Sequence, residues 1–394
     1  MNPRDLVLVD GVRTPMAEYN GHFADLPALE LGARAARALF ERTGVAPAEV
    51  DHVVVGNVMQ TSLDAIYGAR HVGLKAGVPK EVPALTVNRL CGSGIEAILS
   101  AARLIGAGEA TCCLVGGTEN MSQAPHVVYG ARRGFKLGQG RLEDSLMAAL
   151  LDSYCGLYMA QTSNNLARDY GITREEQDRF ALRSQQRAGE AWASGRLADE
   201  VTAVTVGEGK RARTVERDDH LRPETTMEEL ARLPTAFDKD GFVTAGNASG
   251  IVDGAAMLLL AGAGWARERN LAPLGRLVSW AVVGVEPSRM GIGPAPAIRQ
   301  ALARAGMQLS DLDLVEVNEA FAGQVLAVVR ELGLDEDRLN VNGGAIALGH
   351  PLGASGARLA LTLLKELRRR GGGVGVASAC IGGGQGIALV VEAA

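Results

Sequence analysis

Two blocks of this chain recur at one offset, and nothing else in it constrains the fold as tightly. GVAPAEVDHVVVG begins at Gly44, and GMQLSDLDLVEVN begins at Gly306, 262 positions later. Each carries an acidic residue, an apolar residue and Asp (Glu49-Val50-Asp51; Asp311-Leu312-Asp313) before valines that alternate as in a half-buried strand. CGSG at Cys91 and GASG at Gly353 stand at the same separation. Each opens a helical pattern, IEAILSAARLI or ARLALTLLKEL, which leads through glycine to an apolar strand, TCCLVGG or GVGVASA. One offset across separated blocks implies two copies of an α/β unit, near 1–120 and 273–394, as layered sheets covered by helices.

The stretch 121–248 has no counterpart and reads as an excursion on the first copy. Thr173 and Glu176 have capping-box spacing, and GEGKRARTVERDDHLRPETT is a charged irregular run. An apolar helix is expected near 249–262, which returns the chain so that 249–272 completes the first half.

Of the 394 residues, 47% are apolar and 22% charged, as in a soluble protein of two or three domains. The net charge of −5 gives no basic footprint for nucleic acid. Lys365–Arg370 reads as a solvated helix end, and Lys210–Arg213 as solvated or facing an anion. The five cysteines show no CxxC and read as reduced thiols. MNPRDLVLVDGVRTP shows no targeting signal, and VVEAA is no peroxisomal tripeptide. The run GAAMLLLAGAGWA is shorter than the ~20 residues of a spanning helix. The expectation is a cytoplasmic protein that binds neither membrane nor nucleic acid.

The same offset maps Asn88 onto His350 and Thr118 onto Cys380. If the copies pack about a pseudo-twofold axis, Cys91, His350 and Cys380 converge as a nucleophile, a base and a second thiol. A lone cysteine is usually a small core hydrophobe. Cys91, however, precedes GSG at a helix start, where the dipole lowers a thiol pKa and backbone N–H groups can hold an oxyanion. His350 lies in the glycine-rich GGAIALGHPLGASG, and Cys380 in ASACIGGGQG after an apolar strand. Asn318 and Glu319 end a strand, where a cap and a water- or carbonyl-orienting side chain are both open readings. Cys112 and Cys113 read as core. No metal-ligand spacing, P-loop or dinucleotide fingerprint is present.

VNRLCGSG, VNEAFA, GHPLGASG and CIGGGQG, in that order, resemble the motifs of the thiolases, the acyl-CoA C-acyltransferases. VRTP (12–15), GGTENMSQAPH (116–126) and TAGNASGIVDGAA (244–256) extend the resemblance over essentially the whole chain. It implies an α/β thiolase fold, with the two halves in five-layered α-β-α-β-α packing and 121–248 as a loop domain for coenzyme A and tetramerisation. It implies Cys91 as the nucleophile that carries the acyl group, His350 as its activator, and Cys380 as the group that moves the α-proton. Asn318 would hold a water in one oxyanion hole, and the N–H groups of Cys91 and Gly382 would form the other. Arg222 would meet the nucleotide end of coenzyme A and Ser249 the pantetheine, with Ala245 and Gly246 beside them. Met159, Met290 and Phe321 would border the acyl pocket.

Coenzyme A and its thioesters would be substrates, with no cofactor and no metal. MSQAPHVVYGARRGFKLG resembles the segment that joins dimers into homotetramers. The chain departs from the family at Met159-Ala160-Gln161-Thr162-Ser163-Asn164-Asn165, where Met-Gly-x-Thr-Ala-Glu-Asn is usual. It also has Tyr158 where short-chain biosynthetic members often carry His. The expected activity is reversible condensation of two acetyl-CoA through an acyl-Cys91 thioester. The alternative is a broad-range 3-ketoacyl-CoA thiolase of fatty-acid β-oxidation; a non-catalytic CoA-binding relative would have lost a motif. A decarboxylating ketoacyl synthase does not fit the second thiol, Cys380.

Overall fold

The computed structural model describes residues 5–393. Nine strands form the path of a central sheet: β1 (Leu6–Arg13), β2 (His52–Gly56), β3 (Ala84–Val87), β4 (Cys112–Glu119), β5 (Val252–Gly262), β6 (Gly275–Gly284), β7 (Leu314–Val317), β8 (Gly373–Ile381) and β9 (Gln385–Ala393). Their spatial order is β3-β2-β4-β5-β1-β6-β9-β8-β7, and the short strand Ala17–Glu18 pairs beside β5. β2 runs parallel to β3 and β4, and β7 runs parallel to β8; the other pairings are antiparallel. Within the sheet path the halves join where β1 meets β6, paired through Val7–Arg276 and Leu8–Gly275. The path is therefore two sheets with a thin seam.

The helices that cover these sheets are α1 (Ala28–Thr43), α2 (Gly68–Lys75), α3 (Ser93–Ala107), α4 (Met159–Asp169), α5 (Arg174–Ala193), α6 (Pro294–Ala305), α7 (Ala322–Leu332), α8 (Ala345–Leu348) and α9 (Leu352–Arg369). Strand alternation sorts the side chains into layers. On β5, Ala255, Met257 and Leu259 face an outer core with Val72 of α2 and Leu31, Ala35 and Leu39 of α1. Their neighbours Ala256, Leu258 and Leu260 face an inner core with Ile95, Ile98 and Leu99 of α3 and Leu359, Leu361 and Leu363 of α9. On β9, Ala388 and Val390 face α6 and α7, while Ile387, Leu389 and Val391 face the inner core. The layers are α1/α2, sheet, α3/α9, sheet, α6/α7, as the resemblance implied. Burial of each large apolar side chain contributes roughly 1.5–3 kcal/mol, so the doubly covered middle layer anchors the fold.

One expectation is corrected. Residues 252–262 form a strand, not a helix. Both faces of β5 are covered, so its sequence is apolar without alternation, and such a run does not reveal its period. The stretch Leu90–Ala107 would suit a membrane span by length and composition, but it contains α3, the middle layer of the core. The capping box at Thr173 is formed: Glu176 N–H donates to Thr173 Oγ1 at 3.2 Å, and Thr173 N–H donates to Glu176 Oε2 at 2.7 Å.

The middle layer closes on glycines. A Cβ on Gly94 would lie 2.4 Å from Ala357 N, and one on Gly356 would lie 2.4 Å from Ile95 N. These are equivalent positions in the two copies, so α3 and α9 cross backbone to backbone at their first turns. Gly94→Ala therefore lowers stability by about 1–3 kcal/mol, since the atom it meets is backbone. Gly106→Ala, on the same helix with nothing within 4 Å, raises stability by ~0.5–1 kcal/mol through helix propensity. Denaturant midpoints of the two variants read this difference.

Candidate active site

Cys91 leaves β3 through a strained turn. Leu90 has φ +46°, a left-handed backbone that costs a leucine roughly 1–2 kcal/mol. The turn holds because Asn88 Oδ1 accepts the Leu90 N–H at 3.0 Å. Ser93 Oγ accepts from Arg89 N–H at 2.9 Å and donates to Leu90 O at 2.7 Å. Ser93 thus pins the turn that presents the thiol. Gly92 lets the turn close on the second half, where a Cβ would lie 2.7 Å from Ile381 Cδ1. The glycines after Cys91 serve close packing of the first half against the second.

His350 follows Gly349, whose φ is +91°, and its N–H donates to Gly250 O at 2.9 Å. Its Nδ1 lies 2.6 Å from Ser355 Oγ, and that hydroxyl donates to Pro351 O at 3.0 Å. With the hydroxyl proton so engaged, Oγ accepts from Nδ1–H. Nε2 then carries the ring's lone pair, which accepts from the Asn318 Nδ2 amide at 3.2 Å. Burial, with the charge of Arg358 added, pushes the imidazole down to about 3, so His350 is neutral.

Cys91 departs from expectation. Burial pushes its thiol up to about 11, and Glu119 adds to the rise. The N–H groups of Gly382 and of Cys91 itself oppose this without overcoming it. The helix terminus does not deliver a resting thiolate, because desolvation of the charged form outweighs it. Cys380 is fully buried on β8 and also lies well above its ordinary value, through burial and the nearness of Cys91. The site holds two thiols, one neutral imidazole and an Asn318 whose Oδ1 makes no hydrogen bond among the described residues. This combination suits proton transfer from thiol to imidazole as a substrate arrives.

A cavity of about 460 Å³ opens onto His350. Ser249, Ala245, Met159 and Phe321 line it, and Tyr158 forms a wall with Phe237, ring centroids 4.9 Å apart. Cys91, Cys380 and Asn318 do not border it. Cys380 sits behind Met159 and Phe321 in a cluster with Met290 and Ala320. Three residues named for substrate lie off the wall. Met290 is buried in that same cluster. Gly246 packs under Leu230 and Leu233. Arg222 donates to Glu18, a residue of the cavity lining, and to Asp219 O at 2.8 Å.

Sequence reading missed Glu119. Its Oε1 accepts from Asn57 Nδ2 at 3.1 Å and Met59 N–H at 3.0 Å; its Oε2 accepts from Val58 N–H at 3.0 Å and Gly353 N–H at 2.9 Å. It ties a loop of the first half to the helix start after His350. Its place in GGTEN was visible, but its partners are long-range.

The comparisons with known proteins agree with this geometry. The thiolase N-terminal domain model matches residues 6–263, and the thiolase C-terminal domain model matches 271–393. The chain belongs to the thiolase family. It is 52% identical to the human mitochondrial 3-ketoacyl-CoA thiolase over 99% of this chain and 98% of that protein. It is 49% identical to the Pseudomonas aeruginosa acetyl-CoA acetyltransferase over 98% of this chain and 99% of the relative. The crystal structure of the human mitochondrial enzyme superposes with a TM-score of 0.98, at 52% identity, over all of both chains. This thiolase is an acyltransferase. The expected cytoplasmic location does not stand: the human, orangutan and bovine relatives at 51–52% identity are mitochondrial enzymes.

Glu119 generates a pH prediction. Burial pushes its carboxyl up to about 7, against the three backbone N–H groups that favour the charge. A raised carboxyl binds a proton in the folded state that the unfolded chain has released, so its contribution is fully present below about pH 4.5. That contribution is lost as pH rises through about 7. Glu119→Gln, neutral throughout, removes this slope. The change in denaturant midpoint between pH 5 and pH 7.5 is then smaller in the variant than in the native protein.

Proposed function

We propose that this thiolase cleaves 3-ketoacyl-CoA thioesters longer than acetoacetyl-CoA, and acetoacetyl-CoA as well, with coenzyme A as the second substrate. The observation that carries the reading is the apolar wall next to His350, formed by Met121, Leu146, Leu150 and Leu352 with the Tyr158–Phe237 pair. An acyl chain gains by leaving water along such a wall. The 3-ketoacyl-CoA thiolase names among the relatives at 50–52% identity support the same substrate class.

In the proposed reaction, His350 Nε2 takes the proton of Cys91, and the sulfur attacks the 3-keto carbon of the substrate. The C2–C3 bond breaks. Cys380 gives its proton to C2, which releases acetyl-CoA and leaves an acyl-Cys91 thioester. The thiol of coenzyme A then attacks the thioester, its proton passes to Cys380, and His350 returns the first proton to Cys91. Asn318 and His350 face the carbonyl oxygen in one half-reaction, and the N–H groups of Cys91 and Gly382 face it in the other. Ser249 and Ala245 border the pantetheine path, and Arg222 reaches the nucleotide end. Residues 121–248 supply much of this path, which supports their reading as a loop domain. The neutral His350 and un-ionised Cys91 fit this order: charge appears only when substrate is present to use it.

The homotetramer is likewise a proposal. It is supported by exposed Leu63, Ile66 and Tyr67, by Leu85 on edge strand β3, and by exposed Tyr129, Phe135, Leu137 and Leu142 in 128–142. Light scattering of the native chain reads a tetramer, and Leu137→Glu with Phe135→Glu reads a dimer.

Thiolysis of acetoacetyl-CoA beside 3-oxooctanoyl-CoA tests the substrate reading. Both are cleaved if it holds, and cleavage of the four-carbon substrate alone rejects it. Cys91→Ala lowers kcat by roughly 10³-fold or more on both. Cys380→Ala blocks carbon–carbon chemistry in either direction, yet Cys91 is still acetylated by acetyl-CoA, which intact-protein mass spectrometry detects.

A further inference from the structure

Arg358 is fully buried, and among the described residues its guanidinium makes no hydrogen bond. Its one ion-pair contact is Glu316 Oε2, 3.5 Å from Nη1. A buried cation held so sparingly is costly, and a packed core would replace it with an apolar side chain unless its charge has a use. Its position suggests the use. Arg358 lies one turn beyond Ser355 on α9, and Glu316 lies two residues before Asn318 on β7. Ser355 and Asn318 are the two groups that hold the His350 ring. The Arg358–Glu316 contact therefore bridges helix and strand next to both supports of the imidazole; burial pushes the Glu316 carboxyl up to about 8 against the pull of Arg358, so the cation is the main charge placed there.

We propose that Arg358 is a positioning residue for His350: tied to Glu316, its buried cation keeps the imidazole neutral and aligned between Ser355 and Asn318. Arg358 lies off the cavity wall and touches no substrate. The inference rests on the reading of His350 as the base at Cys91. The groups facing His350 are Ser355 and Asn318, by hydrogen bonds, and Arg358, by charge. Those facing Glu316 are Arg358, Glu319, Glu200 and Glu366. Arg358 is the one cation among them, so its removal makes an imidazolium less costly. The neutral base is then lost at a higher pH.

The test compares the native enzyme with Arg358→Met, Arg358→Lys and Arg358→Gln in thiolysis of acetoacetyl-CoA. A second readout, independent of turnover, is the rate of Cys91 alkylation by iodoacetamide, followed by peptide mass spectrometry. Arg358→Met is expected to lower kcat roughly 10- to 100-fold with KM near native, as misaligned bases do. It is also expected to move the acid limb of kcat/KM, and of alkylation, up by about one pH unit. Arg358→Lys restores the native limb and most of kcat. Arg358→Gln removes the charge but keeps a polar side chain at this place, so it gives the same upward shift should the Met variant not fold. A folded, charge-removed variant with the native acid limb overturns the proposal, as does an activity loss that follows the unfolding midpoint alone. His350→Asn separates the two readings. If it alkylates at the native rate and pH dependence, the base assignment fails; if it is inert while the Arg358 variants are native, only the Arg358 proposal fails.

Discussion

The contact between Gly94 and Gly356 is the constraint on which the rest of this structure depends. A side chain on either would drive its Cβ to 2.4 Å from the opposing backbone. Because neither has one, α3 and α9 meet at their first turns, and everything at the N-terminal ends of those helices is brought together. Cys91 lies three residues before Gly94, and His350 six before Gly356. The same approach lets Gly117 pass under Gly353, where a Cβ would lie 1.8 Å from the carbonyl oxygen. Helices that approach this closely must do so through small residues, since close packing leaves no slack for others.

Bringing these groups together buries His350 and Cys380 and half-buries Cys91, and this removal from water sets their chemistry. Cys91 and Cys380 are held as thiols and His350 as a neutral ring, because each charged form would lose its solvation. A site made of exposed groups would rest with its charges already separated. In the proposed reaction ionisation is coupled to the arrival of a carbonyl, which brings the oxygen that the backbone N–H groups can then serve. Asn318 Oδ1, a buried acceptor with no partner among the described residues, cannot itself meet that oxygen and calls for a donor such as the O–H of a water.

The sequence shows the duplication directly, so the layered fold follows from one offset, which also sets Cys91 near Cys380. What it hides is whatever depends on a partner far along the chain. Strand β5 reads as a helix in sequence because two covered faces erase its alternation. Glu119 gives no local sign that it accepts from Val58, Met59 and Gly353. The left-handed Leu90 is invisible because leucine does not advertise a positive φ. The direction of the Cys91 shift was misjudged because a helix dipole is local and readable, whereas desolvation is a property of the folded whole. Arg222 and Gly246 carry family motifs, yet they reach the cavity only through Glu18 or not at all.

The divergence of the copies explains how one fold came to hold both the Cys91 thiol and the His350 imidazole, the proposed nucleophile and base. At equivalent positions, Ser93 and Ser355 use the same hydroxyl differently. Ser93 bonds back to Leu90 O and so holds the strained turn before the thiol. Ser355 bonds back to Pro351 O and so turns its lone pair to His350 Nδ1. One turn further on, the first copy has Glu96, which faces Arg89 and Arg103 near the surface. The second copy has Arg358, sealed against Glu316. A carboxylate at the second position would attract a proton to the imidazole, whereas a cation repels it. The near-symmetry thus places the reacting groups, and the departures from symmetry give each one a different task.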